Sequence, residues 1–484
     1  MTELDLLFIH PPRNFEFLTH NLEKRSSYLT MPMGLFSMAD LLEREGFNVK
    51  IINYALEKHL NPNFSLPKYL ERYNPKIIGV DLQWALHSAG ALDIIKMAKI
   101  LYPSSFTVLG GYTATYFAEE IMNAYDFIDG IIKSDAEVPI VQLAKHINSL
   151  DKVPNLIYRN NGKIYDNNIT YLTENLDELN FTNFHFLEHW KQYISYTYNV
   201  MHNAWPVEMA RGCPFNCVNC AGSYATYSRY IGRKKTIFRS PDKVVEDIKK
   251  VAEISDVNGI YYGHGIYPVT EKYFMEINKL IREEKLDIHA DLELWRLPIS
   301  EKATRDFAKT YDLEKSIIWF SARSFSESYR KKFHKLYGRL DNSFRFSNSD
   351  LDVLINLMNK HKVPLRLFWD IGNPQETGID VLNNFLYAFK LFVKSLSSYN
   401  TTSFWTEPII ITPGCPIHHY DHHFGIDLKT NSFKDYVNLS RTSKMLFPPI
   451  DVNVNYQTKY LSSFGINMMN KVNSLINILS IIVS

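Results

Sequence analysis

The sequence predicts an α/β protein: an amino-terminal Rossmann-like parallel sheet followed by a partial, TIM-like (β/α)6 barrel. Three observations predict it. Short β-rich runs alternate with amphipathic segments over residues 1–150, the alternation resumes from about 205 to about 410, and turn-forming residues follow the runs where parallel sheets place their ligand loops. At 484 residues and 45% hydrophobic, the chain can bury the cores that two such domains need.

In the first region the expected strands are Leu4–Ile9, Asn48–Asn53, Lys76–Val80, Thr107–Leu109 and Ile128–Ile132. Gly34–Glu45 carries Leu35, Met38, Leu41 and Leu42 at helical spacing, which marks a helix packed on the sheet. His10-Pro11-Pro12 follows the first strand, Asp81-Leu82-Gln83-Trp84 the third, and Gly110-Gly111-Tyr112-Thr113 the fourth. Open parallel sheets bind ligands at these edges, so 1–150 reads as a cofactor domain. Residues 151–204 read as a linker containing a hairpin, Asn155–Tyr158 and Lys163–Tyr165 about the turn Asn160-Asn161-Gly162.

Over 205–410 the expected strands are Val207–Ala210, Gly259–Tyr262, Asp287–Ala290, Ile317–Phe320, Leu365–Trp369 and Ser403–Thr406. Helices such as Pro241–Ala252, Glu271–Glu284 and Ser349–His361 separate them, giving six β/α units whose chemistry belongs on the loops after the strands. Residues 411–484 are expected to cap this barrel.

Lys+Arg 53 against Asp+Glu 52 leaves a formal charge of +1, so no strong field draws the chain to nucleic acid or an anionic membrane. The expected partner is a small molecule or a peptide. The amino terminus lacks the basic start and cleavage site of a signal peptide, and the apolar run Leu475–Val483 falls short of the roughly 20 residues that span a bilayer. Four cysteines, Cys415 lying apart from the rest, do not form a disulfide framework. A cytoplasmic protein is expected.

Directly after the first barrel strand comes ARGCPFNCVNC, which sets Cys213, Cys217 and Cys220 in a C-x3-C-x2-C pattern beside Gly212 and Pro214. Structural zinc normally takes four ligands, for which Cys415 and a histidine are available; inert clustered thiols are the plainer alternative. A [4Fe–4S] cluster on three thiolates leaves one iron open for chemistry, and the barrel mouth is where substrates bind.

The loop resembles the signature of radical S-adenosylmethionine enzymes, and the chain over about 1–450 resembles their subgroup with an amino-terminal cobalamin-binding domain. Further motifs carry the likeness: Met31-Pro32-Met33-Gly34-Leu35 leading to Glu45-Gly46-Phe47-Asn48-Val49, Val108 to Thr115, Arg239-Ser240-Pro241, Ile371 to Thr377, and Thr412-Pro413-Gly414-Cys415-Pro416. The resemblance implies a cluster whose fourth iron chelates S-adenosylmethionine, and a 5′-deoxyadenosyl radical formed when an electron cleaves the sulfonium. It implies that Ser321, Arg323, Asp370 and Asn373 cradle S-adenosylmethionine, with Arg323 as a fork for the methionine carboxylate. Cys415 stands where relatives carry Ser or Thr, and so reads as a turn residue.

The first domain lacks the D-x-H-x-x-G that supplies a histidine to cobalt. Cobalamin is then expected to be held without one, its lower face covered by Gln83 and Trp84, with Gly110, Gly111, Tyr112 and Thr113 at the corrin tail. Several positions depart from the family pattern. Asn219 replaces an aromatic residue before Cys220, Ser321-Ala322-Arg323-Ser324 lacks the usual Glu-Ser pair, and Tyr262-Gly263-His264-Gly265-Ile266 replaces acidic residues. His264 is therefore a candidate acid or base. His418, His419, His422 and His423 resemble a metal box by composition and read as a solvated polar helix.

The function implied is methyl transfer from methylcobalamin to a substrate carbon or phosphorus, with flavodoxin or ferredoxin as electron donor. A radical cyclase or oxidoreductase that transfers no methyl, and a non-catalytic cobalamin or cluster sensor, are the alternatives.

Overall fold

The computed structural model describes residues 4–13, 31–200, 204–254, 257–395, 402–442 and 454–483. The chain forms two compact units. The first takes Met1–Val200, Tyr224–Ile237 and Thr430–Ser443, and the second Met201–Ser223, Phe238–Lys429 and Lys444–Ser484.

The first unit is built on seven strands: β1 (Leu6–His10), β2 (Val49–Asn53), β3 (Ile77–Asp81), β4 (Phe106–Gly110), β5 (Gly130–Ile132), β6 (Leu156–Asn160) and β7 (Lys163–Asp166), in the order β2-β1-β3-β4-β5-β6-β7. β1 to β5 pair in parallel and β6 and β7 add antiparallel. β1 and β3 are buried along their whole length, as strands covered on both faces must be. Helices α1 (Gly34–Arg44) and α2 (Ser88–Leu101) belong to this unit. The hairpin expected within a linker is in fact the sheet's edge. Leu156, Ile157 and Tyr158 are all buried, more apolar burial than a linker supplies. Residues 201–203 of that expected linker lie outside the described residues.

The second unit contains a six-stranded, wholly parallel sheet: β8 (Trp205–Val207), β9 (Gly259–Tyr262), β10 (His289–Leu294), β11 (Ile317–Arg323), β12 (Leu365–Ile371) and β13 (Thr402–Pro408), in that spatial order. Helices α3 (Pro241–Ala252), α4 (Glu271–Glu283), α5 (Glu301–Thr310), α6 (Glu327–Tyr337), α7 (Asn348–Lys360) and α8 (Gly378–Ser395) connect the strands. Several open on side-chain caps: Ser300 accepts from the amide of Ala303, Ser326 from Tyr329, and Ser347 forms a reciprocal capping box with Asp350.

Alternation along these strands sorts the side chains. Ile260, Tyr262, Ala290, Leu292, Leu294, Ile318, Phe320, Leu365, Leu367 and Trp369 join the hydrophobic core. The residues between them pair across the opposite face: Tyr261 with Asp291, Glu293 with Trp319, Arg366 with Ser403, Asp370 with Glu407. The third strand, expected to end at Ala290, continues to Leu294 because Asp291-Leu292-Glu293-Leu294 keeps the period-two pattern.

The expected capping region divides between the units. α9 (Phe433–Thr442) puts Phe433, Tyr436 and Val437 into the first unit's core, and Arg441 pairs with Asp93 at 2.8 Å. α10 (Ser463–Val483) belongs to the second unit, and residues 443–453 lie outside the described residues. Among the described residues no helix is long and apolar enough to cross a membrane.

Candidate functional site

In the second unit the three-cysteine loop leaves β8, and Gly212, at φ +95°, makes the turn into it. The loop is tied down at its backbone. The Val218 amide donates to Asp341 at 3.0 Å, the Ala221 amide to the Thr412 hydroxyl at 2.9 Å, and that hydroxyl donates to the Asn219 carbonyl at 3.2 Å. The Ile417 amide donates to the Val218 carbonyl at 3.0 Å. The Thr412–Cys415 turn thus braces the loop, and Asn219 contributes a backbone carbonyl.

The thiols are crowded. Burial, and next among the raising effects the Cys217 charge, push Cys213 up to about 11; burial, followed by the charges of Cys217, Cys213 and Cys415, pushes Cys220 up to about 12. Bound metal would be needed to hold them as thiolates near neutrality. Among the described residues no three His, Cys, Asp or Glu side chains converge tightly enough for a single metal ion. In the His418–His423 segment His418 is buried while His422 points to solvent. Cys415 is fully buried at the start of the short helix Pro416–His419.

Arg296, which the sequence reading missed, lies against this loop. Its Nη2 is 3.5 Å from Cys217 Sγ, its guanidinium sits 4.1 Å from the Phe215 ring centroid, and its Nη1 donates to the Trp295 carbonyl at 2.7 Å. It follows β10 directly, so an expected strand end four residues too early concealed it. Next to it stands an aromatic wall. Trp295 packs 4.3 Å from the His264 ring and stacks with Tyr267, which meets Phe215 edge-on at 5.0 Å. His264 is buried, its Nδ1 bonded to the Gly265 carbonyl at 3.1 Å and its Nε2 without a hydrogen-bond partner among the described residues. Burial lowers its pKa to about 4, so at neutral pH it is an uncharged imidazole with a lone pair or N–H to offer.

At the carboxyl ends of β11 and β12 the structure brings Arg323, Asp370 and Asn373 together. Arg323 Nε donates to Asp370 at 2.9 Å, Nη1 to Asp341 at 3.4 Å and Ser343 at 3.3 Å, and Nη2 to Asn373 at 3.4 Å. The fork expected to meet a methionine carboxylate is therefore directed at protein partners. Burial opposes its charge, yet the Asp370 and Asp341 carboxylates hold its pKa above the ordinary value. Ser321, by contrast, is exposed beside the bulge between Ser321 and Arg323. Glu407, level with Asp370 on β13, is pushed to about 7 by burial and then by the Asp370 charge.

In the first unit the expected cobalamin residues form one hydrogen-bonded edge. The Tyr112 amide donates to Gln83 Oε1 at 3.0 Å, Thr113 Oγ1 to the Gln83 carbonyl at 2.9 Å, and the Leu82 amide to the Gly110 carbonyl at 2.7 Å. Gly111, at φ +102°, could carry no Cβ, which would lie 2.8 Å from the Gln83 nitrogen. Gln83 Oε1 and the Thr113 hydroxyl are thus spent on the edge itself, while the Trp84 ring is 41% exposed. His10, wholly buried, bonds Asp81 through Nδ1 at 2.9 Å, and its Nε2 has no partner among the described residues. A glycine-walled edge, an exposed indole and an orphaned buried imidazole nitrogen together fit a large planar cofactor.

Comparisons with known proteins bear on the family likeness and the fold. Residues 24–144 match the family model of the B12 binding domain. An uncharacterized methyltransferase of Pyrococcus horikoshii is 27% identical over 296 residues, 60% of this chain and 59% of its own length. The hopanoid C-3 methylase of Methylococcus capsulatus is 22% identical over 257 residues, 52% of this chain and 46% of its own length. This chain thus spans about half the length of these relatives. The solved radical S-adenosylmethionine methyltransferase TsrM of Kitasatospora setae superposes with a TM-score of 0.62 at 14% identity, over 88% of this chain and 78% of that one. The likeness shows the fold, and the resemblance drawn from the sequence motifs is borne out.

Proposed function

We propose that this protein is a cobalamin-dependent radical S-adenosylmethionine methyltransferase, moving a methyl group from methylcobalamin to a substrate carbon or phosphorus. One observation carries the reading: a B12 binding domain match and a three-thiol loop at the carboxyl edge of a parallel sheet occur in one chain. On this reading the six-stranded sheet is a partial (β/α)6 barrel. Cys213, Cys217 and Cys220 would hold a [4Fe–4S] cluster able to bind S-adenosylmethionine. When bound, these groups and cobalamin supply one-electron hydrogen abstraction and a transferable methyl.

The chain's own residues bind, orient and exclude water. Phe215, Tyr267, Trp295 and His264 wall the cluster loop with aromatic surface. Ser321, exposed at this edge, would meet a nucleoside, while Asn373 is bonded to Arg323 and Arg323 fixes Asp370 by a direct bond. The Glu407 carboxyl titrates near neutrality and is suited to take up a proton released at this edge. Trp84, with its exposed ring, and Gly110, Gly111 and Tyr112 would hold the cobalamin. Reduction requires an electron donor such as flavodoxin or ferredoxin, and the setting is the cytoplasm.

Anaerobically reconstituted protein, given reductant and methyl-labelled S-adenosylmethionine, should yield labelled methylcobalamin and 5′-deoxyadenosine. Deoxyadenosine without methyl transfer would point to a cyclase or oxidoreductase. Failure to bind cobalamin removes both readings.

A further inference from the structure

Helix α8 is apolar on two opposite sides. One side belongs to the second unit's core through Val381, Ala388 and Leu391. The other presents Ile379, Leu382, Leu386, Phe389 and Val393, which are 72%, 55%, 56%, 64% and 48% exposed. Their spacing runs three, four, three, four, the a/d repeat of a coiled-coil seam sustained over two heptads. A second apolar stripe, beyond the one that faces the core, is more than a surface helix needs.

The area is large enough to matter. Taking roughly 200 Å² for a large side chain, the five leave on the order of 600 Å² of continuous apolar surface, at the upper end of what a monomer exposes. Two such faces in contact would bury about 1,200 Å², the lower bound for a specific stable interface. The helix is also poor in charge. Asp380, Lys390 and Lys394 are its only charged residues, and Asp380 is turned inward, bonding Ser326 at 2.9 Å and Thr377 at 2.6 Å. A surface so short of charge offers little to select a dissimilar partner, and self-pairing about a two-fold axis is the commonest assembly of soluble proteins.

We propose that α8 is the interface of a homodimer, two copies packing this stripe antiparallel about a two-fold axis at Leu386. Leu386 then meets its own copy, Ile379 meets Val393, and Leu382 meets Phe389. The antiparallel arrangement opposes the two helix dipoles and sets Asn383 against Lys390, so that no like charges meet across the seam. The stripe uses none of the residues assigned above to a cofactor, so the proposal does not rest on cofactor binding.

Sedimentation of the full-length protein over a range of concentrations should show a monomer–dimer equilibrium. Leu386→Glu, an exposed substitution at the axis, should weaken association by more than ~100-fold while leaving the circular dichroism unchanged. Leu386→Cys should form a 386–386 disulfide on mild oxidation, identified as the cross-linked peptide by mass spectrometry. Ile379→Cys should cross-link to Val393→Cys in a mixture but not to itself. A single copy at every concentration, a dimer undiminished by Leu386→Glu, or Ile379→Cys linking to itself would each overturn the proposal.

Discussion

The guanidinium of Arg296 lies 3.5 Å from the Cys217 sulfur through Nη2, clamped over the Phe215 ring of the same loop. An arginine does not lose its proton, so this places a permanent positive charge and a donor beside a cluster-ligating thiol. Hydrogen bonds to cluster sulfurs raise the reduction potential. Arg296→Met should therefore shift the reconstituted cluster to a more negative potential in an electron paramagnetic resonance titration, and Arg296→Lys should fall between. An unchanged potential in both variants would show that the contact does not persist with the cluster in place.

Cys217→Ala should abolish the broad absorption at roughly 400 nm of the reconstituted protein, whereas Cys415→Ser should keep it. Cys415 is fully buried and its charge contributes to the raised pKa of Cys220, so the pair of variants separates a ligand from a neighbour. Loss of the cluster in Cys415→Ser would mean a fourth protein ligand and no place for S-adenosylmethionine.

Among the described residues Arg323 is the only cation bonded to Asp370, and it also reaches Asp341, both carboxylates being buried. Removing one member of a buried ion pair typically costs about 3–5 kcal/mol. Arg323→Met should lower the urea midpoint of the second unit by a corresponding amount. A variant as stable as the parent would show that these carboxylates take up protons at little cost.

Glu376 is fully buried, with its Oε2 accepting the amides of Gly372 at 2.8 Å and Asn373 at 3.2 Å, and burial pushes its pKa from 4.5 to about 8. Between those values the folded protein keeps a proton that the unfolded chain has released. Stability should then be full below about pH 4.5, fall as pH rises, and level off above about 8, with this group contributing a slope of at most ~1.4 kcal/mol per unit. Asp291, raised to about 8 by burial, acts in the same direction. Glu376→Gln should remove one proton's worth of this slope in unfolding curves at pH 5.5 and 7.5, and an identical slope would reject the assignment.

Gly90 in α2 lets the helix approach the Pro12 carbonyl so closely that a Cβ there would sit 1.8 Å from the oxygen. Gly90→Ala must displace helix or loop. Overpacking of this kind costs ~1–3 kcal/mol or more, and it should lower both the thermal midpoint and the amount of cobalamin retained. A thermal midpoint equal to the parent's would show that the loop moves freely.

The sequence by itself determined the two alternating α/β regions and the cysteine loop with its place after a strand, because each rests on local periodicity or on spacing within a few residues. Tertiary structure alone decided what depends on register and on contacts between distant segments. His10 finds Asp81 across 71 positions, Arg296 reaches Cys217 across 79, and the Arg323 side chain turns to Asp370 across 47. The hairpin's place in the sheet and the return of α9 to the first unit are of the same kind. Strand period fixes which face a residue occupies, but which neighbour it meets there follows from how the strands and helices are aligned, and no local pattern encodes that.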